Sequence, residues 1–220
     1  MTEYLQHNRV QLALHALKGG EGLALLLLHG LGERSPQTLP SEYAQWPGPV
    51  YALDFTGHGL STVPNGGGYT CEVLMADADT ALARIGSATV VGRGLGAYIA
   101  LLIAGARPDR VRGAILLDGP GLAGGGSTSN PYIPMVDTTQ LAPPDPFAIA
   151  ELATDGRPPA YASHFALLAE QRSDLARPLS ICTCEQPDWL SVVLNVIAAD
   201  KTTLVNALRE YSGLSAPTQI

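Results

Sequence analysis

A short apolar run that passes through alternating glycines into a helix is the feature that most restricts the fold of this chain. Residues 88–91 are apolar or β-branched, and residues 92–96, which read Gly-Arg-Gly-Leu-Gly, follow without a break. A helical apolar stretch then runs from about Leu95 to Ala106, and Pro108 ends it. A buried strand that turns tightly into a helix favours a mostly parallel sheet covered by helices.

Other strands and helices alternate along the first half of the chain. The period-2 pattern of Val10–Leu17 ends at Gly19-Gly20 and predicts antiparallel strands at one edge of the sheet. Apolar residues at helical spacing predict a helix over Cys71–Ile85. We expect further buried strands at Leu25–Leu28, Val50–Leu53 and Gly113–Leu117. This alternation predicts an α/β class protein with a parallel sheet between two layers of helices.

The residue pattern changes between residues 119 and 177, where prolines and glycines interrupt every long periodic stretch. We interpret this stretch as an inserted cap or lid, because long excursions in compact domains are usually functional. Within it, Pro146–Thr154 and Ala160–Arg172 are expected to form short helices. The prediction is one structural domain with a core over 1–118, a lid over 119–177 and the rest of the core over 178–220.

The C-terminal part is less clearly patterned. Leu179–Cys184 is expected to return as a strand. Trp189–Ile197 is apolar nearly all round, and periodicity leaves open whether it is a buried helix or the last strand. We expect Asp200 to cap a final helix that reaches Tyr211, with Gly213 at its end.

Composition and charge exclude several classes of function. Of 220 residues, 46% are hydrophobic and 15% are charged, and 20 acidic against 13 basic side chains give a net charge of −7. Such a chain has no global positive field to attract nucleic acid or anionic lipid. The apolar run Leu23–Leu28 is too short to span a bilayer, and the first residues lack the pattern of a signal peptide. We expect no nucleic-acid partner, no membrane association and a cytoplasmic location.

Four segments resemble, in order, the motifs of one family, the α/β-hydrolases. Residues 25–32 are similar to its His-Gly loop, and residues 54–61 to its Asp-x-x-Gly-His-Gly-x-Ser turn. Residues 90–106 resemble the strand, nucleophile elbow and following helix, and residues 110–118 resemble the next strand. The resemblance implies the α/β-hydrolase fold, with a mostly parallel sheet flanked by helices and an oxyanion-hole amide in the His-Gly loop.

The same resemblance places Gly94 where the family has its nucleophile. The family's elbow is Gly-x-Ser-x-Gly, with the Ser hydroxyl exposed on a strained turn. Gly92 and Gly96 retain the flanking glycines, but Gly94 has no side chain and relieves the strain. The family's base is a His in a loop after the last strand, and no histidine follows His164. The sequence therefore predicts a pseudoenzyme without Ser-type hydrolysis.

The candidate residues carry both functional and plainer interpretations. The degenerate elbow is Gly92-Arg93-Gly94-Leu95-Gly96, and candidates for an unusual catalytic set are Asp118, His58 and His164. Each has a simpler role as well: a loop cap, a loop brace and a surface residue, respectively. The guanidinium at position 93 is either solvated or an anion-binding group. Candidate ligand-binding residues are His29, Gly30, Leu31, Arg93 and Leu95.

Three functions remain open at this point. The first is a pseudo-hydrolase whose pocket, between elbow, His-Gly loop and lid, binds a small apolar or carboxylate ligand or a protein partner. The second is an active hydrolase or lyase with non-Ser chemistry supported by Asp118, His58 or His164. The third is an interaction protein whose pocket is filled, and an open pocket above Gly94 would count against it. None of the three requires a cofactor or a metal.

Overall fold

One mixed sheet runs through the computed structural model, which describes residues 1–124, 143–154, 156–197, 199 and 201–214. Its strands lie in the order β1-β2-β4-β3-β5-β6-β7. β1 pairs with β2 and β2 with β4 in antiparallel fashion, whereas all other neighbours are parallel. The strands are β1 (Thr2–His7), β2 (Val10–Lys18), β3 (Ala24–Leu28), β4 (Val50–Leu53), β5 (Ala88–Arg93), β6 (Val111–Leu117) and β7 (Leu179–Cys182). The predicted parallel sheet with an antiparallel edge is confirmed.

Helices connect and cover these strands. They are α1 (Cys71–Ile85), α2 (Leu95–Ala106), α3 (Pro146–Leu152), α4 (Ala160–Arg172), α5 (Asp188–Val196) and α6 (Leu204–Ser212), and a 3-10 turn spans Ser41–Tyr43. The bounds of α1, α2 and α4 agree with the prediction. Thr70 explains the sharp start of α1, because its hydroxyl accepts a hydrogen bond from the Val73 N–H.

Helix α2 is apolar all round because it is enclosed on all sides. Every residue of α2 except Ala106 is buried, and the helix packs against β5, β6, α1 and α4. The contact with α4 is especially close, since a Cβ added to Gly105 would lie 2.3 Å from the carbonyl oxygen of Phe165. A glycine at position 105 is therefore what allows the two helices to cross at this distance.

The C-terminal part resolves one choice that the sequence left open and differs from the prediction in two places. The segment left open between helix and strand forms α5, with Trp189 and Val193 on its buried face. Helix α6 begins later than predicted, and its cap is Thr203 instead of Asp200, which lies outside the described residues. Strand β7 ends at Cys182, because the N–H groups of Cys184 and Glu185 donate to the side chain of Asp118.

The described parts of the 119–177 segment occupy two different places. Helix α4 packs against α2 and α5 on the flank of the sheet. Helix α3 lies beside the His-Gly loop, where a Cβ added to Gly32 would meet the Ile149 side chain at 3.0 Å. Residues 125–142 and 155 of this segment lie outside the described residues. The predicted domain limits and the role as a lid stay predictions.

The parallel part of the sheet sets the position of the candidate site. The strands β3, β4, β5 and β6 all run in one direction, so their carboxyl ends meet at the same edge. The loops that follow them begin with His29, Asp54, Gly94 and Asp118, respectively. In open α/β sheets this edge is where ligands bind.

Candidate functional site

Gly94 forms the turn between β5 and α2. Its φ of 55° and ψ of −118° lie in a region that glycine adopts readily and that a side chain tolerates only under strain. A Cβ added to Gly92 would lie 2.0 Å from the carbonyl oxygen of Gly96, and a Cβ on Gly96 would lie 2.4 Å from that of Leu28. All three glycines are needed for this tight approach of helix to strand.

Two backbone N–H groups beside Gly94 converge on one acceptor. The N–H of Leu31, in the loop after β3, and the N–H of Leu95, at the start of α2, both donate to the carbonyl oxygen of Pro120 at 2.9 Å. In α/β-hydrolases, an amide of the loop after this strand and the amide that follows the nucleophile form the oxyanion hole. These are the amides that the resemblance assigns to an oxyanion hole, and in this structure both donate to a carbonyl of the chain itself.

Segment 119–121 also fills the space directly above Gly94. A Cβ on Gly94 would lie 2.2 Å from the carbonyl oxygen of Pro120 and 2.4 Å from the carbonyl carbon of Gly119. The cavity that remains beside Gly94 has a volume of about 20 Å³. This is the space that one water molecule needs. The described residues thus leave no room above the elbow for an ester, contrary to the open pocket of the first hypothesis.

His29 is buried behind the elbow, and both of its ring nitrogens have backbone partners. Nδ1 lies 2.7 Å from the carbonyl oxygen of Gly30, and Nε2 accepts a hydrogen bond from the N–H of Phe55 at 3.1 Å. Because a carbonyl only accepts and an amide only donates, the proton is on Nδ1. Burial lowers the pKa of His29 below its usual value, which keeps the ring neutral.

His58 has the same arrangement next to His29, with ring centroids 5.0 Å apart. Its Nδ1 lies 3.2 Å from the carbonyl oxygen of Thr56, and its Nε2 accepts from the N–H of Gly32 at 3.2 Å. Burial, with a smaller contribution from His29, lowers the pKa of His58 to about 4. Both histidines brace the loops after β3 and β4, and neither has a ring nitrogen left to take a proton from a substrate.

Arg93 is paired with a carboxylate of the His-Gly loop. Its Nε and Nη2 each lie 2.8 Å from a carboxylate oxygen of Glu33, which also accepts the N–H of Gly30. Burial opposes the ionisation of Glu33, but the hydrogen bonds from Arg93 and Gly30 outweigh it and lower the pKa of Glu33. Arg93 therefore binds an anion, and in this structure the anion is the chain's own.

Asp118 and His164 are not brought together with the elbow histidines. The carboxylate of Asp118 accepts the N–H groups of Cys184 at 2.7 Å and Glu185 at 3.0 Å, so it holds the loop after β7. His164 is exposed on α4, next to the residue that contacts Gly105. Gly105 lies eleven positions after Gly94 along α2, which corresponds to roughly 16 Å at the rise of an α-helix.

A larger cavity, of about 130 Å³, lies on the other side of Arg93. It is enclosed by the ends of β3 and β5 and by the 3-10 turn Ser41–Tyr43. Of the predicted ligand-binding residues, His29 and Arg93 line this cavity, whereas Gly30, Leu31 and Leu95 lie at the elbow. The remaining lining residues are mostly apolar: Leu27, Leu28, Pro36, Pro40, Tyr43, Val91, Gly92 and Leu117, with Glu33, Arg34 and Glu42 at the polar end.

Sequence reasoning missed three residues of this region: Pro120, Glu33 and Tyr43. Pro120 lies only three residues after the end of β6. Nothing in the sequence indicates that its carbonyl accepts the N–H groups of Leu31 and Leu95. Glu33 is different, because it lies three residues after Gly30 of the His-Gly motif. This position next to the motif was a signal that its carboxylate could pair with Arg93 of the elbow. In the described part of the chain, no group of His, Cys, Asp or Glu side chains is arranged to hold a metal ion. None of the described helices is long and apolar enough to cross a membrane.

The family model described as the alpha/beta hydrolase family matches residues 25–219. The chain belongs to this family. The α/β-hydrolase fold predicted from the sequence is therefore confirmed. A comparison with curated proteins finds none that matches this α/β-hydrolase.

Solved structures resemble this α/β-hydrolase over different lengths. An epoxide hydrolase from Vigna radiata is 20% identical, with 55% of this chain and 40% of that one covered and a TM-score of 0.46. An inhibitor complex of the Bacillus megaterium epoxide hydrolase is 30% identical, with 54% and 42% covered and a TM-score of 0.47. A bacterial membrane phospholipase A is 19% identical, with 96% and 75% covered and a TM-score of 0.50.

These likenesses differ in what they support. The chain spans about two fifths of the length of the epoxide hydrolases that it matches. The match to the phospholipase A runs through nearly the whole of this chain and shows the shared fold alone.

Proposed function

We propose that this α/β-hydrolase does not carry out Ser-type hydrolysis and acts by binding a small ligand instead. The observation that carries the proposal is that the carbonyl of Pro120 accepts both the Leu31 and the Leu95 N–H. In catalysis, such donors stabilise the negative charge that develops on the substrate oxygen. As long as they are hydrogen-bonded to Pro120, a substrate oxygen has no place between them.

The residues that would carry the chemistry support the same proposal. Gly94 supplies no hydroxyl, and loss of the nucleophile alone costs about a million-fold in turnover. Loss of one oxyanion-hole donor costs roughly a further 10²- to 10³-fold in enzymes that use it. The ring nitrogens of His29 and His58 are hydrogen-bonded to backbone groups, so neither of these histidines is available as a base beside the elbow.

A hydrolase or lyase with an unusual catalytic set is the alternative, and the contacts of its three candidates argue against it. The Asp118 carboxylate binds two backbone N–H groups, His58 is enclosed, and His164 is exposed on α4 beside the end of α2 that is remote from the elbow. Asp118 and His58 each have a structural role, and His164 has an exposed position, so none of the three needs a catalytic role to explain its presence.

The test is an esterase assay of the wild type and the Gly94→Ser variant. The substrates are p-nitrophenyl acetate, butyrate and octanoate, and a fluorophosphonate probe reports any activated serine. We expect neither protein to exceed the buffer rate and neither to be labelled, since Ser at position 94 would gain no histidine base to activate it. Near-ultraviolet circular dichroism shows that the variant is folded.

Wild-type turnover well above the buffer rate would contradict the proposal. Turnover that is then lost in Asp118→Asn or His58→Gln would favour the alternative. Turnover that both variants retain would indicate a catalytic set elsewhere in the chain.

A further inference from the structure

We propose that the 130 Å³ cavity between the ends of β3 and β5 and the turn Ser41–Tyr43 binds a molecule the size of one six-membered ring that carries a carbonyl or carboxylate oxygen. The inference rests on the proposed function, because a binding role needs a site and the space above Gly94 holds only about 20 Å³. It also moves the site from the elbow to the opposite side of Arg93.

The volume of the cavity limits the size of the ligand. An apolar protein cavity of about 150 Å³ stays dry and accommodates one benzene molecule. The cavity of this protein, at about 130 Å³, is close to that size. The cavity is open to solvent on one side, so its walls can cover a single ring or a short branched chain, and a second fused ring would extend into solvent.

The inner wall of the cavity is apolar. Leu27 on β3 and Val91 on β5 are buried, and both belong to the apolar cluster on the sheet face opposite α2. Leu117, at the end of β6, packs against the same cluster. A ligand's ring would gain free energy by displacing water from these side chains.

Tyr43 supplies a polar group inside this wall. The residue is only 7% exposed and lines the cavity, but water can reach its hydroxyl, which makes no hydrogen bond with a described residue. Burial raises the pKa of Tyr43 to about 12, with a smaller contribution from Glu42, so the phenol keeps its proton. A protonated phenol inside the cavity can donate to a ligand's acceptor oxygen in place of water.

The polar end of the cavity offers further donors. The pair with Glu33 uses two of the five N–H donors of Arg93. Arg34 is exposed and forms no ion pair with a described residue. Because Glu33 and Glu42 balance these two cations, charge selects only weakly between a neutral carbonyl and a carboxylate. The acceptor oxygen is the chemistry that both have in common.

The probes for the test are benzoate, benzamide, toluene and 2-naphthoate, titrated into protein with labelled Leu and Val methyl groups. We expect saturable shifts of the Leu27, Val91 and Leu117 methyl signals with benzoate or benzamide. Toluene, which has no acceptor, should bind about fivefold more weakly, which is the effect of one hydrogen bond. Naphthoate should bind no more tightly than benzoate, because its second ring is not covered by the cavity walls. The ratio of benzoate to benzamide affinity tells which form of the acceptor the site prefers.

The Tyr43→Phe variant keeps the ring and removes the hydroxyl. It should weaken benzoate or benzamide binding about fivefold and leave toluene binding unchanged. The control is Tyr4→Phe, since Tyr4 is exposed on the edge strand β1 and is 54% accessible.

The proposal is overturned if no probe gives saturable shifts at these methyl groups, if naphthoate binds more tightly than benzoate, or if Tyr43→Phe binds benzoate like the wild type. Ester turnover in a protein that still binds benzoate here would contradict the proposed function alone. Absence of both turnover and benzoate binding would contradict only the assignment of this cavity.

Discussion

The carbonyl oxygen of Pro120 lies only 2.2 Å from the position that a Cβ on Gly94 would take. The atoms involved belong to the backbone of segment 119–121, which cannot turn aside as the end of a flexible side chain can. Any side chain at position 94 must therefore displace the segment whose carbonyl binds the amides of Leu31 and Leu95. The glycine and the closed oxyanion hole belong to one arrangement.

Replacing Gly94 by Ala should lower the free energy of unfolding by about 3 kcal/mol or more, because backbone strain and steric overlap both contribute. The matched control is Gly66→Ala, at a φ of 86° with no heavy atom within 4 Å of an added Cβ. That variant should lose only about 1 kcal/mol, from the backbone conformation alone. Urea unfolding measures both, and equal losses would mean that segment 119–121 does not press on Gly94.

The closed oxyanion hole should also be visible in hydrogen exchange. The amides of Leu31 and Leu95 are hydrogen-bonded to Pro120, so they should exchange slowly, whereas the exposed amide of Gly66 should exchange fast. In Gly94→Ser, the displaced segment should speed up exchange at both leucines together. Fast exchange of these two amides in the wild type would show that the hole is open in solution.

Local sequence signals account for the parts of the fold that were predicted well. Helix α1 has a capping Thr70 at its start, and the glycines around position 94 indicate a tight turn whatever surrounds it. No local sequence signal of this kind predicts that the carbonyl of Pro120 binds the two amides beside Gly94. This contact joins Leu31, Leu95 and Pro120, three positions far apart in the sequence, through backbone atoms that carry no information about residue type.

The same reasoning explains the choice left open and the wrong cap near the C-terminus. An all-round apolar segment such as Trp189–Ile197 has no periodicity that separates a helix from a strand. Thr203 and Asp200 are both good capping residues, and the choice between them depends on where the chain leaves the edge of the sheet at Lys201.

The Asp118→Ala variant tests whether this carboxylate holds the loop after β7. Removal of the side chain leaves the N–H groups of Cys184 and Glu185 without their acceptor, which should cost about 1 kcal/mol because water reaches this partly exposed site. Asp109→Ala, an exposed residue in the turn before β6, is the control and should change stability by less than about 0.5 kcal/mol. If both variants lose the same amount, the loop does not depend on Asp118.

Stability should fall as the solution is made acidic, because His58 stays neutral in the fold. Its pKa of about 4 lies below the value of 6.5 in the unfolded chain, so between these two the unfolded state binds the extra proton. The stabilisation is complete above pH 6.5 and is lost as the pH falls toward 4. From pH 6.5 to about pH 5, His58 alone should cost roughly 2 kcal/mol.

The His58→Gln variant isolates this contribution. Its amide can still accept the N–H of Gly32 but does not titrate, so the difference in unfolding free energy between pH 8 and pH 5 should shrink by about 2 kcal/mol. His7 acts in the opposite direction, because its hydrogen bond to Asp77 raises its pKa and stabilises the fold below pH 6.5. An unchanged pH dependence in His58→Gln would show that this histidine is not kept neutral.

The short strand β7 has a consequence for how copies of this protein meet one another. The N–H of Thr202 donates to the carbonyl of Ile181, and Lys201 lies beside that strand as an isolated bridge. Lys201 and the turn around it thus cover this edge of the sheet. The edge therefore leaves few free backbone groups with which a strand of another molecule could pair. Among the described strands, β1 presents the longer uncovered margin, and any growth of the sheet across molecules would start there.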